Sequence, residues 1–164
     1  MSSELEDFFG EPVEVIETPG HTVGHIAFYF PNCKVAFVGD TVFAMGCGRL
    51  FEGTPQQMHN SMQKLVAKLP RDTTLYCAHE YTLSNAKFAV TVDPKNQALL
   101  ARFKKVEALR EQNMKTVPFT MEEELNTNPF LRCQDQDLKD CIGMSSVSDD
   151  SKVFAKVRAL KDNF

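Results

Sequence analysis

The chain has 164 residues, 43% hydrophobic and 24% charged, with 8 glycines and 8 prolines, enough for one ordinary domain or a domain with an appendage and too apolar for disorder throughout. Its formal charge of −4 speaks against a nucleic-acid partner, whose phosphates require a basic face, and unbroken apolar stretches such as Val35-Ala36-Phe37-Val38 are far too short for a membrane span. Five cysteines without a CxxC pair fit reduced thiols in a cytosol-like compartment, and the acidic opening Met1-Ser2-Ser3-Glu4-Leu5-Glu6-Asp7 lacks the pattern of a secretory leader.

Up to about Asp93, short apolar strands alternate with turns. Val13 to Glu17 alternates and stops at Thr18-Pro19-Gly20. Ile26 to Phe30 is a second strand, closed by Pro31-Asn32. Lys34 to Val38 is a third, apolar on both faces as in a buried central strand, and Thr73 to Cys77 is a fourth. Between the third and fourth, Thr54 is placed to cap a helix with Pro55 at its first position and an apolar stripe of Met58, Met62, Leu65, Val66 and Leu69. Pro70 ends it.

Beyond Asp93 helical periodicity takes over. Asp93-Pro94 reads as a cap and first turn, followed by Leu99, Phe103, Val106 and Leu109 at helical spacing as far as about Asn113. Thr120-Met121-Glu122-Glu123 has the capping-box pattern, and Asn128-Pro129 sets the end of that shorter helix. Ser145 to Asp150 is loop-like. A last helix is expected over 151–160, with Val153, Val157 and Leu160 inward and Lys152, Lys156 and Arg158 outward.

Three strong ligands share one kind of place. His21 follows the first predicted strand, Asp40 the third and His79 the fourth, and side chains leaving the carboxyl ends of neighbouring strands converge on a crevice. Imidazole nitrogen and carboxylate oxygen are donors that zinc, iron and manganese accept. Singly, a turn-capping Asp or a hydrogen-bonded His is the simpler reading; three together favour a metal site. Gly20, Gly24 and Gly39 supply the backbone freedom of the turns. His25 is expected to be a buried hydrogen bonder, His59 a surface residue, Met58 and Met62 core, and Cys33 and Cys77 small buried hydrophobes. Cys47 sits in a glycine turn near the site, with a catalytic thiol role disfavoured.

These residues also carry a family resemblance. Thr18-Pro19-Gly20-His21-Thr22-Val23-Gly24-His25-Ile26 and Gly39-Asp40-Thr41-Val42-Phe43 resemble two segments of the metallo-β-lactamase-fold hydrolases. Gly46-Cys47-Gly48-Arg49-Leu50-Phe51-Glu52-Gly53-Thr54 and Ala78-His79-Glu80-Tyr81-Thr82 are narrower and resemble glyoxalase II, the hydroxyacylglutathione hydrolases. So do Glu123-Glu124-Leu125, Asn128-Pro129-Phe130-Leu131-Arg132, Arg158 and the closing Lys161-Asp162-Asn163-Phe164. The resemblance implies an α/β (α+β) fold: the C-terminal half of an αββα sandwich over residues 1–92, then a small helical substrate-binding domain over 93–164.

It further implies a pair of divalent metals (zinc, with iron or manganese as alternatives) that hold a hydroxide and polarise a carbonyl. His21 matches a ligand of one metal, His79 a ligand of the other, and Asp40 the bridging carboxylate that positions the metal-bound hydroxide. The implied reaction is hydrolysis of S-D-lactoylglutathione to glutathione and D-lactate, a step of methylglyoxal detoxification. Implied substrate contacts are Arg49, Leu50, Phe51, His79, Glu80, Tyr81, Arg158 and Lys161. The cations among them suit the carboxylates of glutathione, and Arg158 and Lys161, three apart, share a helix face. Phe51 stands where many relatives carry tyrosine, which removes one hydroxyl contact.

One family segment, HxHxDH, with four further ligands, is absent from the four histidines of this sequence. Each metal then keeps two protein ligands, one shared, where catalytic zinc normally has three. The expectation is weak or incomplete metal binding, an apolar sheet edge and face left uncovered, and a chain inactive by itself. It is expected to be a monomer, or to need a missing N-terminal half, in the cytoplasm, or in mitochondria if a leader was lost. A non-catalytic glutathione-binding or interaction fragment is the alternative. A persulfide dioxygenase-like enzyme is a third reading, disfavoured by the helical tail.

Overall fold

The computed structural model describes residues 5–8 and 10–164, with side chains from residue 10 onward; most of the acidic opening read above for a leader lies outside them. Six strands form one sheet in the order β1-β2-β3-β4-β7-β8, namely Leu5–Phe8, Glu11–Glu17, Ile26–Phe30, Val35–Gly39, Thr74–Cys77 and Phe119–Thr120. The remaining two strands, β5 (Val42–Phe43) and β6 (Gly46–Cys47), pair as a separate hairpin. Neighbouring strands run antiparallel except β4 and β7, which are parallel. Consequently the carboxyl ends of β2, β4 and β7 emerge along one edge.

Strand pairing explains which face is covered. Glu14, Tyr29, Ala36 and Leu75 align across four strands. Tyr29, Ala36 and Leu75 of this row join Ile16, Ala27 and Val38 in a core with Met58, Met62, Leu65 and Leu69 of helix α1 (Pro55–Lys68). Helix α1 begins as expected: Thr54 and Gln57 form a reciprocal capping box with Pro55 behind it. The opposite row, Val15, Phe28, Phe37 and Tyr76, has no such cover among the described residues. Phe28 is 39%, Phe37 47% and Tyr76 38% exposed, with Phe37 and Tyr76 stacked at 5.3 Å. The third strand is thus central but buried on one face only, and it begins at Val35 because Lys34 sits in a turn at φ 51.

The helices pack as two groups. Helix α2 (Thr82–Val92) lies against α3 (Gln97–Glu111), and α6 (Asp150–Asp162) against α1. Helices α4 (Met121–Thr127) and α5 (Gln136–Cys141) connect them. Helices α2 and α5 have no counterpart among the elements expected from the sequence, and α3 starts later than the Asp93-Pro94 pattern implies. Asp93 is the C-cap of α2, and the cap of α3 is Asn96, whose side chain accepts from Leu99 N–H. Thr120 caps α4 as the pattern indicates, and just before it β8 adds an antiparallel strand to the sheet.

Three further expectations are corrected. Arg158 does not face outward; it is 5% exposed, with its ring partner Phe130 at 5.3 Å. Cys33 is exposed rather than buried, because it falls in the turn after β3. His59 is half-buried where α1 meets α6, its ring 5.7 Å from Phe154. Burial lowers its pKa below the usual histidine value, with Asp150 and Asp149 pulling the other way. Among the described residues no helix is long and apolar enough to cross a membrane, and all five cysteines are free thiols.

Candidate metal centre and its cleft

His21, Asp40 and His79 meet at the carboxyl edge of the sheet. His21 Nε2 lies 3.6 Å from Asp40 Oδ2, and His79 Nε2 lies 3.6 Å from Asp40 Oδ1. Each imidazole therefore faces its own carboxylate oxygen. Two ligands bound to one tetrahedral zinc at about 2.1 Å stand roughly 3.4 Å apart, so both N···O separations suit a cation held between them. The donor set fits two ions bridged by Asp40, each with two protein ligands. Among the described residues no group of three or more His, Cys, Asp or Glu is arranged to hold a metal ion by itself.

The surrounding backbone fixes each ligand. His21 Nδ1 is 2.7 Å from the Arg49 carbonyl oxygen. A carbonyl can only accept, so Nδ1 carries a proton, and in the neutral ring Nε2 is the nitrogen whose lone pair turns toward Asp40, the usual outer support of a ligating histidine. Asp40 N–H donates to His25 Nε2 at 3.1 Å. His25 is then protonated on Nδ1, beside the hydroxyls of Thr18 at 2.8 Å and Thr41 at 3.1 Å. Burial holds its pKa below the usual histidine value, opposed by Asp40 and assisted by His21. His25 is a neutral strut for Asp40, in agreement with the structural role expected of it.

Two glycines are required by this packing. Gly39 sits at φ 51, where a Cβ would come 2.6 Å from His25 Nε2. At Gly48 a Cβ would collide with the Asp40 carbonyl and lie 3.2 Å from His21 Nδ1.

The centre opens into a cleft of about 630 Å³ lined by the three ligands, Phe43, Arg49, Phe51, Tyr81, Arg158 and Lys161, among others. Phe51 is 70% exposed and lies 4.8 Å from the His21 ring. Tyr81 stacks on His79 at 5.0 Å. On the far wall Lys161 Nζ donates to Ser84 O at 3.2 Å and rests over Phe88 and Phe164. Burial lowers its pKa, with the like charges of Arg158 and Arg49 adding to the effect and Asp162 opposing. Arg49, Arg158 and Lys161 thus crowd one cleft together with the carboxylates of Asp40 and Asp162. Arg158 is already engaged: Nη1 donates to Cys47 O at 3.0 Å, while Nε and Nη2 reach Asp162 Oδ1 at 3.1 and 2.9 Å.

Two residues expected at the substrate stand outside this lining. Leu50 packs toward the core. Glu80 turns away and accepts from Thr116 N–H at 2.6 Å, Thr116 Oγ1 at 2.8 Å and Arg110 Nη1 at 3.2 Å; the Thr116 hydroxyl bond leads the lowering of its pKa. Phe43, Ser84, Asn85, Asp162 and Phe164 also line the cleft and were not assigned there; Phe43 carried a signal as the end of the Gly39–Phe43 segment, and Asp162 and Phe164 as part of the tail motif. Cys47 is buried and its thiol is pushed up to about 11, chiefly by burial, which leaves it a poor nucleophile.

Solved structures share this fold. ETHE1 from Myxococcus xanthus superposes with a TM-score of 0.55 at 19% identity, over 98% of this chain and 58% of that one. A protein designated TTHA1623, in a di-iron-bound form, gives 0.51 at 25% identity, over 80% and 47%. Residues 3–79 match the metallo-beta-lactamase superfamily, and the fold is of this class. Residues 80–164 match the family described as hydroxyacylglutathione hydrolase C-terminus, and the hydroxyacylglutathione hydrolase of Mesorhizobium japonicum is 55% identical over 154 residues, 94% of this chain and 60% of that protein. The chain belongs to the hydroxyacylglutathione hydrolase family. It spans about 60% of the length of the curated relatives it matches.

Proposed function

We propose that this chain carries one half of the dinuclear centre and the glutathione-facing wall of an enzyme that hydrolyses S-(2-hydroxyacyl)glutathione thioesters, S-D-lactoylglutathione among them. The observation behind this reading is the Asp40 carboxylate shared between His21 and His79, one oxygen to each, beside a cationic cleft. A di-iron form of a structural neighbour makes two ions the natural occupancy. Divalent ions bound there supply Lewis acidity and an acidified water near neutral pH. His21 and His79 would hold one ion each and Asp40 both, its negative charge easing the repulsion between two dications.

The remaining residues bind and orient. Lys161 and Arg49 meet the carboxylates of glutathione, and the free edge of Arg158 adds to the same field. Tyr81 and Phe51 flank the acyl group on either side of the ligands. Attack by water at the thioester carbonyl breaks the C–S bond, releasing a carboxylic acid and the glutathione thiol.

With two donors per ion, the chain alone is expected to hold less than one ion tightly and to bind the thioester without turning it over. Titration calorimetry with S-D-lactoylglutathione tests the wall directly. Lys161→Ala is expected to weaken binding about tenfold, the loss of one charge-assisted contact. Binding that ignores both Lys161→Ala and Arg49→Ala would refute the substrate assignment; stoichiometric dinuclear metal by elemental analysis would refute the two-donor account.

A further inference from the structure

The hairpin joining Asp40 to Arg49 is held in an uncommon way. Asn128 Nδ2 donates to Phe43 O at 3.3 Å and Gly46 O at 2.9 Å. Asn85 Nδ2 donates to Ala44 O at 3.2 Å. Met45 N–H donates to Glu124 Oε2 at 2.9 Å, and Arg158 Nη1 reaches Cys47 O. Every residue from 43 to 47 thus has a backbone group bound by a side chain from α2, α4, the end of α4 or α6. The segment is buried throughout, where an unpaired peptide group is costly, so these side chains determine where it lies. Met45 is also held at φ 54, a conformation a methionine avoids unless its surroundings impose it.

Glu124 is the hub. Its carboxylate is fully buried, accepts Met45 N–H and Asn128 Nδ2 (2.8 Å) on Oε2, and pairs with Arg102 Nη1 through Oε1 at 2.6 Å. It therefore orients Asn128 as well as Met45. The consequence reaches the ligands at both ends of the hairpin. Asp40 stands two residues before β5 and Arg49 two after β6, and Arg49 provides the carbonyl that fixes the His21 tautomer. The packing of Gly48 against the Asp40 carbonyl and His21 Nδ1 leaves no slack to absorb a shift.

We infer that Glu124, acting through Met45 and Asn128, is a positioning residue that sets the orientation of His21 and Asp40 from within the helical layer. The inference rests on the metal-centre reading of those two residues. Its test compares two double variants. Arg102→Met with Glu124→Leu replaces the buried pair by apolar groups and leaves no orphan charge, but deprives Met45 N–H and Asn128 of their acceptor. Arg102→Gln with Glu124→Gln removes the charges and keeps an acceptor oxygen.

The readout is the nitrogen-15 NMR signature of the neutral His21 ring, measured on metal-free protein with near-ultraviolet circular dichroism confirming the fold. The Gln pair is expected to retain the Nδ1–H tautomer, and the Met/Leu pair to move toward the Nε2–H tautomer that an unsupported imidazole favours. Cobalt(II) titration should show apparent affinity weakened about tenfold in the Met/Leu pair only. If the Met/Leu pair does not fold, Asn128→Ser, which frees Phe43 O and Gly46 O with Glu124 in place, should give the same tautomer change. A folded Met/Leu or Asn128→Ser protein with an unaltered His21 signature overturns the inference. Failure of the metal reading is distinguishable: no cobalt uptake in any variant, with the tautomer contrast intact.

Discussion

Arg132→Met exposes how this chain manages a buried carboxylate away from the candidate centre. Asp93, at the junction of α2 and α3, has a side chain 1% exposed and is paired with Arg132, itself 16% exposed; Asn96 Nδ2 adds a hydrogen bond at 2.8 Å. Burial raises the Asp93 pKa above the ordinary carboxylate value, and the guanidinium opposes that rise. Removing one partner of a buried pair costs about 3–5 kcal/mol. The surviving Asn96 bond places this case near 3 kcal/mol. The other partner of Arg132, Asp135, is 31% exposed and keeps its capping bond to Leu138 N–H, so it adds little. At about 2–4 °C per kcal/mol for a chain of this size, Tm should fall by roughly 6–12 °C.

The sign of the pH dependence is diagnostic. A carboxyl whose folded pKa lies above its unfolded value disfavours folding when ionised, and that penalty disappears as the pH falls through the folded value. Loss of the guanidinium raises the folded value further, so the deficit of the variant should shrink between neutral pH and about pH 5. Urea unfolding of both proteins at the two pH values measures it. A deficit below about 1 kcal/mol, or one unchanged on acidification, would refute the argument.

Three further outcomes follow from other parts of the molecule. His59→Leu removes a half-buried imidazole whose Nδ1 has no partner and whose pKa is lowered by burial. Because such a group costs stability only once the unfolded chain protonates, the variant should gain more below about pH 6.5 than above it, and equal Tm gains at both would contradict this. Gly48→Ala should destabilise the chain and disturb the His21 and Asp40 resonances together, since the added methyl meets both residues; unchanged chemical shifts there would count against the close packing. Phe37→Lys, on the uncovered sheet face, should leave Tm nearly unchanged while lowering self-association in analytical ultracentrifugation, and a large Tm loss would mean that this face is covered after all.

Sequence and tertiary structure made different contributions here. Local patterns were sufficient where the physics is local: alternation marked Val13–Glu17, a β-branched and aromatic run marked Ile26–Phe30, the Thr54 cap with Pro55 announced α1, and the Thr120 capping box announced α4. The meeting of His21, Asp40 and His79 was legible because residues that leave the carboxyl ends of parallel strands in one sheet emerge along one edge. Helix α2 escaped because it is buried around much of its circumference and so has no amphipathic stripe to detect. The roles of Arg158, Glu80, Asn85 and Glu124 depended on partners distant along the chain, Cys47 from position 158, Thr116 from 80, Ala44 from 85 and Met45 from 124. Such a hydrogen bond leaves no periodicity in either segment, and its energy exists only once folding has removed water from both groups. The residue types of the candidate centre were therefore written in the chain, whereas their support and orientation came from the packing of helices against a buried hairpin.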